Sequence, residues 1–199
     1  MAISKTAIAN RALSKLGEPR VSNIETTNSN AAETIREMWD SVRDAMLQSY
    51  PWNFAIARKS IAADATAPDW EYNNRYRVPT GYLALLEVKN DPDYVLEGSF
   101  ILTDEGTPLK IRYIQRIEDT AQFDTMFDEA LAAELAVQAC ESITQSNTKK
   151  QILMSERDAA IKAAFASDAI QEPPQTLRPD TWLTSREEGY DDEIDYSTA

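Results

Sequence analysis

The chemistry open to this chain is bounded by an abundance of acids and the lack of one residue type. It has 199 residues, 33 of them Asp or Glu, and no histidine. Two carboxylates facing each other across a cleft can cleave a glycosidic bond when one is kept protonated. Asp124/Asp128 and Glu118/Asp119 have spacings that invite this reading. Both pairs also lie where a helix is expected to begin, and acids there stabilise the positive helix end without any catalysis. The lack of histidine removes Ser-His-Asp and Cys-His catalysis, His-ligated zinc and the commonest general base. A calcium loop needs alternating acids, a central Gly and a closing Glu. Asp91-Pro92-Asp93 and Asp104-Glu105-Gly106 lack that pattern, and no GxGxxG, GxxxxGK[ST] or GxSxG occurs. No catalytic residue, metal or cofactor is therefore assigned. The single cysteine, Cys140, lies in the Ala-rich run from Leu135 to Ile143 and reads as a buried helix residue.

Two further groups carry binding chemistry. Trp52 and Phe54 stand where a helical pattern gives way to a strand pattern, which predicts a hydrophobic joint. Arg75-Tyr76-Arg77 could meet a nucleic acid, but in so acidic a chain ion pairing is the simpler use.

The elements that position these residues follow from periodicity. Ser4 caps a first helix over roughly 4–17, with Ile8, Ala12, Leu13 and Leu16 on one face and Gly17 and Pro19 as the stop. After a polar loop, Asn28 or Ser29 caps a second helix. Its apolar stripe is Ala31, Ile35, Met38, Trp39, Val42, Ala45 and Met46, with Glu33, Arg36, Glu37, Asp40, Arg43 and Asp44 opposite. Pro51 ends it near Ser49. The period then changes to two. Strands are predicted over Trp52–Ala62, Tyr72–Val78, Leu83–Lys89, Tyr94–Leu96, Ser99–Thr103 and Leu109–Ile114, in one compact antiparallel region. Helix returns after Asp119, with Phe127, Leu131, Leu135, Ala139 and Ile143 four residues apart. A last helix runs from about Thr148 to Ile170, with Ile152, Leu153, Ala160, Ile161, Ala164 and Phe165 facing inward.

The fold class is therefore α+β: a bundle of about four helices with an inserted small antiparallel β domain and an extended C-terminal tail. The expected divisions are 1–50 and 118–170 for the bundle, 51–117 for the β insertion and 171–199 for the tail. The tail has three prolines and no helical period. It holds eight acids and two bases, so −6 of the net charge of −13 lies there. Alone, such a composition does not bury enough apolar surface to order itself. Trp182, Leu183, Tyr190 and Tyr196 punctuate it and are the predicted partner-binding anchors.

Nucleic-acid backbones are bound by clustered Lys and Arg, and Arg75/Arg77 and Lys149/Lys150 are tightly spaced pairs in a strongly acidic chain. Specific DNA binding is not expected. No run approaches the roughly 18 apolar residues of a membrane span, and Met1–Lys15 has no secretory pattern.

Several segments resemble, in order, the tail tubular protein A or head-to-tail adaptor family of short-tailed bacteriophages. They are Ala12-Leu13-Ser14-Lys15-Leu16-Gly17, Ala31-Ala32, Trp39-Asp40-Ser41-Val42-Arg43-Asp44 with Leu47, and Tyr50-Pro51-Trp52-Asn53-Phe54-Ala55. Tyr76-Arg77-Val78-Pro79, Ile111-Arg112-Tyr113-Ile114, Phe127-Asp128-Glu129-Ala130-Leu131 and Leu135-Ala136 follow. Together they span roughly 125 residues, and the Tyr50–Ala55 segment is the most distinctive. The chain departs from the family at Thr80-Gly81-Tyr82-Leu83, where an acid and a small residue more often follow the proline. The resemblance implies a structural protein without enzymatic activity, found in the virion and assembled in the bacterial cytoplasm. It implies a closed ring of about twelve copies between portal protein and tail nozzle protein, with DNA passing the lumen without specific binding and no membrane involved. The acidic balance suits a channel wall that does not hold phosphate. A hydrolase acting on cell-surface glycan through an acid pair is the alternative.

Overall fold

A computed structural model describes residues 3–171, and the chain folds as α+β. The helices are α1 (Lys5–Leu16), α2 (Asn30–Gln48), α3 (Thr125–Thr144) and α4 (Asn147–Ile170). Between α2 and α3 lie β1 (Ile56–Ile61), β2 (Asn74–Arg77), β3 (Tyr82–Val88), β4 (Tyr94–Glu97), β5 (Phe100–Thr103) and β6 (Leu109–Gln115).

The helix ends follow their capping residues. Ser4 Oγ accepts the Ala7 amide at 3.2 Å and Ser29 Oγ accepts that of Ala32 at 3.2 Å. At the end of α1, Gly17 turns left-handed at φ 79°. Its amide donates to Ser14 O and that of Glu18 to Leu13 O, which closes a Schellman turn. Lys149 Nζ, at the start of α4, donates to the free carbonyl of Leu16 and ties the two ends together.

Helix α3 is the centre of the bundle. Residues on every side of it are buried, including Phe127, Leu131, Leu135, Ala139 and Cys140, because α1, α2 and α4 all pack on it. Cys140 is a buried thiol beside Thr144 Oγ1 at 3.2 Å, as its Ala-rich setting predicts. Helix α4 is the outermost. Only Leu153, Ala164 and Asp168 are fully buried in it, with Ala160, Ile161 and Phe165 packed half-buried beside them. Ile152, expected on the inner face, is 57% exposed. It sits one position off the stripe through 153, 157, 160, 164 and 168 that meets α3.

Two more expectations are corrected in α2. Ala45 is exposed. Arg43, placed on the polar face, is buried, with its guanidinium held at 2.9 Å by both Asp40 and Asp44. Its long stem covers apolar surface while the two carboxylates meet the charge.

The β region divides into two three-stranded antiparallel sheets, ordered β1-β6-β3 and β2-β5-β4. The first sheet joins the bundle. Ile114, Leu83, Ala84 and Leu86 pack into the helical core, and Arg116, just beyond β6, pairs with Asp44 of α2 at 2.7 Å. Its other face carries Ile61, Val88, Leu109, Ile111 and Tyr113, which close a second, smaller core with Tyr76 and Ile101 of the outer sheet. Tyr76 Oη donates to Glu105 O at 2.7 Å, so its ring is buried without losing its hydrogen bond. Gly81, where the sequence departs from the adaptor pattern, holds φ 75° and accepts the Arg116 amide at 2.6 Å. A left-handed residue there favours glycine.

Strand β1 begins at Ile56 rather than at Trp52. Asn53–Ala55 form a 3₁₀ turn instead, because both aromatic rings are drawn down into the helical core.

Candidate interaction surfaces

The Tyr50–Ala55 segment is the hinge-point of the architecture. Tyr50 stacks on Phe165 of α4, with ring centres 4.3 Å apart. Trp52 is fully buried and meets Phe127 edge-on at 5.0 Å, while its Nε1 donates to Met46 O at 2.9 Å. Phe54 lies on Phe127 and Phe123. The predicted hydrophobic joint is there. Its polar lock was missed in the sequence. Asp168, near the end of α4, is buried and accepts the Asn53 amide at 3.0 Å, while Asn53 Nδ2 donates back to Asp168 O at 2.8 Å. The two residues are 115 positions apart, and no local spacing relates them.

The acid pairs are used structurally. Asp124 caps α3, accepting the Met126 amide at 2.8 Å, and Asp119 caps the 3₁₀ turn before it, accepting that of Ala121 at 2.9 Å. Asp128 is not a solvated dipole partner. It is 2% exposed, and its Oδ1 has no hydrogen-bond partner. Burial pushes its carboxyl up to about 6, against the pull of Arg11 and with help from the charge of Asp124. Among the described residues, no group of three or more His, Cys, Asp or Glu is placed to hold a metal ion, and no helix is long and apolar enough to cross a membrane.

The cation pairs singled out in the sequence are engaged inside the fold. Arg75 Nη2 pairs with Asp64 at 3.1 Å, and the guanidinium groups of Arg75 and Arg77 lie 4.7 and 5.9 Å from the centre of the Phe100 ring. The Thr66 amide and the Arg75 guanidinium hold the Asp64 carboxyl below its usual range. Lys149 caps α1, and Lys150 pairs with Glu141 at 2.9 Å.

A different set of cations remains open. Register places Arg58 opposite Arg112, and Ser60 opposite Lys110, on the same face of the first sheet. Lys89 continues β3 beside Lys110, its amide donating to Lys110 O at 2.9 Å. With Lys59 and Glu87 these residues line an open cleft of about 290 Å³. Arg112 pairs with Glu87 at 3.1 Å. The other four cations have no ion-pair partner among the described residues. The sequence reading passed over the adjacent Arg58-Lys59, whose side chains alternate to opposite faces, and only the pairing of β1, β6 and β3 assembles the patch.

The outer sheet presents a second surface. Trp70, on the loop before β2, is 76% exposed, and Tyr94, Val95 and Leu96 of the edge strand β4 are exposed as well. Ile152 and Met154 of α4 are exposed too, two positions apart and so on different sides of the helix. The predicted tail anchors Trp182, Leu183, Tyr190 and Tyr196 lie outside the described residues. No protein-family model matches the chain, and no curated protein matches it.

Proposed function

We propose that this chain is a structural head-to-tail connector of a short-tailed phage, a ring subunit between portal and tail nozzle with DNA passing through the lumen. The observation that carries the reading is the exposed apolar surface of the outer sheet, with Trp70 and the edge strand β4 open to solvent. Aromatic side chains of this kind dominate protein interfaces, and exposed apolar patches on a folded chain mark partner surfaces. The adaptor-like segments also fall at the joints of the fold: the α1 cap, the Asp44–Arg116 bridge and the aromatic joint at Trp52. The tail residues Trp182, Leu183, Tyr190 and Tyr196 then reach the portal or a neighbouring subunit. The virion is the place of action and the host bacterial cytoplasm that of assembly.

The acid-pair hydrolase reading draws on the raised carboxyl of Asp128. That group is buried against the bundle, and Asp124 is committed to capping α3, so a glycan does not reach the pair without the helix opening. Light scattering of the protein, alone and mixed with its portal, tests the proposal. A discrete high-order ring, or stoichiometric portal binding that weakens when residues 171–199 are removed, is expected. A monomer indifferent to the portal with and without the tail overturns it.

A further inference from the structure

The chain carries 33 acids against 20 bases, yet Arg58, Lys89 and Lys110 converge on one sheet face without an acidic partner among the described residues. With Arg112 and against Glu87 this face holds four cations and one anion, a local charge of +3 in a chain of −13. Like charges this close repel, and a sheet face that gathers them is stabilised by an anionic occupant.

The chain itself supplies a matching anion. Residues 187–195 hold six acids (Glu187, Glu188, Asp191, Asp192, Glu193 and Asp195) and no base. The geometry puts this segment within reach. Asp168, bonded to Asn53, anchors the end of α4 at the root of β1. Arg58 lies five residues beyond Asn53, at most about 18 Å along the chain, and Ser60, opposite Lys110, at most about 25 Å. The sixteen residues from Gln171 to Glu187 can span up to about 55 Å. A tether longer than the gap by this modest factor holds its end at a local concentration in the millimolar range. Duplex DNA has no such advantage, since the rest of the molecule repels it.

We propose that the cationic cleft of the β1-β6-β3 sheet is the docking site of the chain's own acidic segment, residues 187–195. The contact is electrostatic and intramolecular, belongs to the free chain, and is given up when the tail reaches a partner. It does not depend on the connector reading, because it needs only charges that this chain carries.

Zero-length coupling of the full chain by a water-soluble carbodiimide tests it, since the reagent joins carboxylates only to amines in contact with them. Trypsin releases the acidic segment after Arg186 as one peptide, Glu187–Ala199. In the monomer fraction this peptide is expected joined to Lys89 or Lys110. Its yield is expected to fall at least about fivefold between 0.1 and 1 M salt, as the Debye length shrinks from about 10 to about 3 Å. The exposed double substitution K89Q/K110Q, with unchanged circular dichroism, is expected to cut the total yield by at least half. Coupling found only in dimers overturns the proposal in favour of a second copy as occupant. Coupling spread evenly over other lysines, such as Lys5 and Lys162, shows that the cleft has no docked segment. Retention of duplex DNA at 0.15 M salt by the full chain, lost in K89Q/K110Q, assigns the cleft to phosphate instead.

Discussion

The helical bundle and the outer sheet solve the same problem in opposite ways. In the bundle, α3 is wrapped on all sides, the aromatic joint fills the corner under β1, and even the buried Asp168 and Arg43 find partners. The outer sheet has one buried face of modest size, around Tyr76 and Ile101, and leaves Trp70 and β4 in solvent. The bundle's residues are chosen for what they do to one another. Those of the outer sheet make sense when something else covers them. Stability and assembly should therefore separate between the two regions.

Trp52→Ala is expected to have the largest effect. It removes a fully buried ring and its hydrogen bond to Met46 O, and should cost about 3–5 kcal/mol in urea unfolding. A loss below about 1 kcal/mol would dissolve the distinction between the regions.

Asp128→Asn should act in the other direction. With the folded carboxyl raised to about 6 by burial, the native state binds a proton that the unfolded chain has released between pH 4 and 6. Stability from this group is thus greatest at low pH and falls as pH rises through 6. The amide cannot ionise, so the variant should be more stable than the parent at pH 7.5 by about 2 kcal/mol, with the advantage gone near pH 4. Equal urea midpoints at both pH values would show that the carboxyl ionises without cost.

Asp168→Ala leaves the half-buried Asn53 amide without its acceptor and should lower stability by about 1–2 kcal/mol. Loosening should concentrate at 50–55, as faster amide exchange. If exchange rises evenly along the chain instead, the lock between α4 and the joint is not local.

Trp70→Ser sharpens the contrast most, with the smallest stability effect. The ring is largely in solvent, so unfolding should move by less than about 0.5 kcal/mol. Ring formation or portal binding, read by light scattering, should weaken all the same. Unimpaired assembly would remove the outer sheet from the interface.

Local patterning determined much of this molecule. Capping residues and the 3.6-residue period located the four helices of the described residues, with Ser4, Ser29 and Gly17 at their ends. Alternation located six strands, and the Trp52/Phe54 joint followed from its place between two periods. These signals are legible because they depend on residues within one or two turns of each other.

Tertiary structure alone decided the rest. It split the strands into two sheets, pulled Trp52 and Phe54 off β1, buried Arg43 and Asp128, and turned Ile152 outward. It paired Asn53 with Asp168 and gathered Arg58, Lys89, Lys110 and Arg112 from three strands into one cleft. Each of these outcomes depends on which distant segment arrives as neighbour. Desolvation and charge pairing act through space, so residues far apart in the chain acquire their roles only when the fold brings them together.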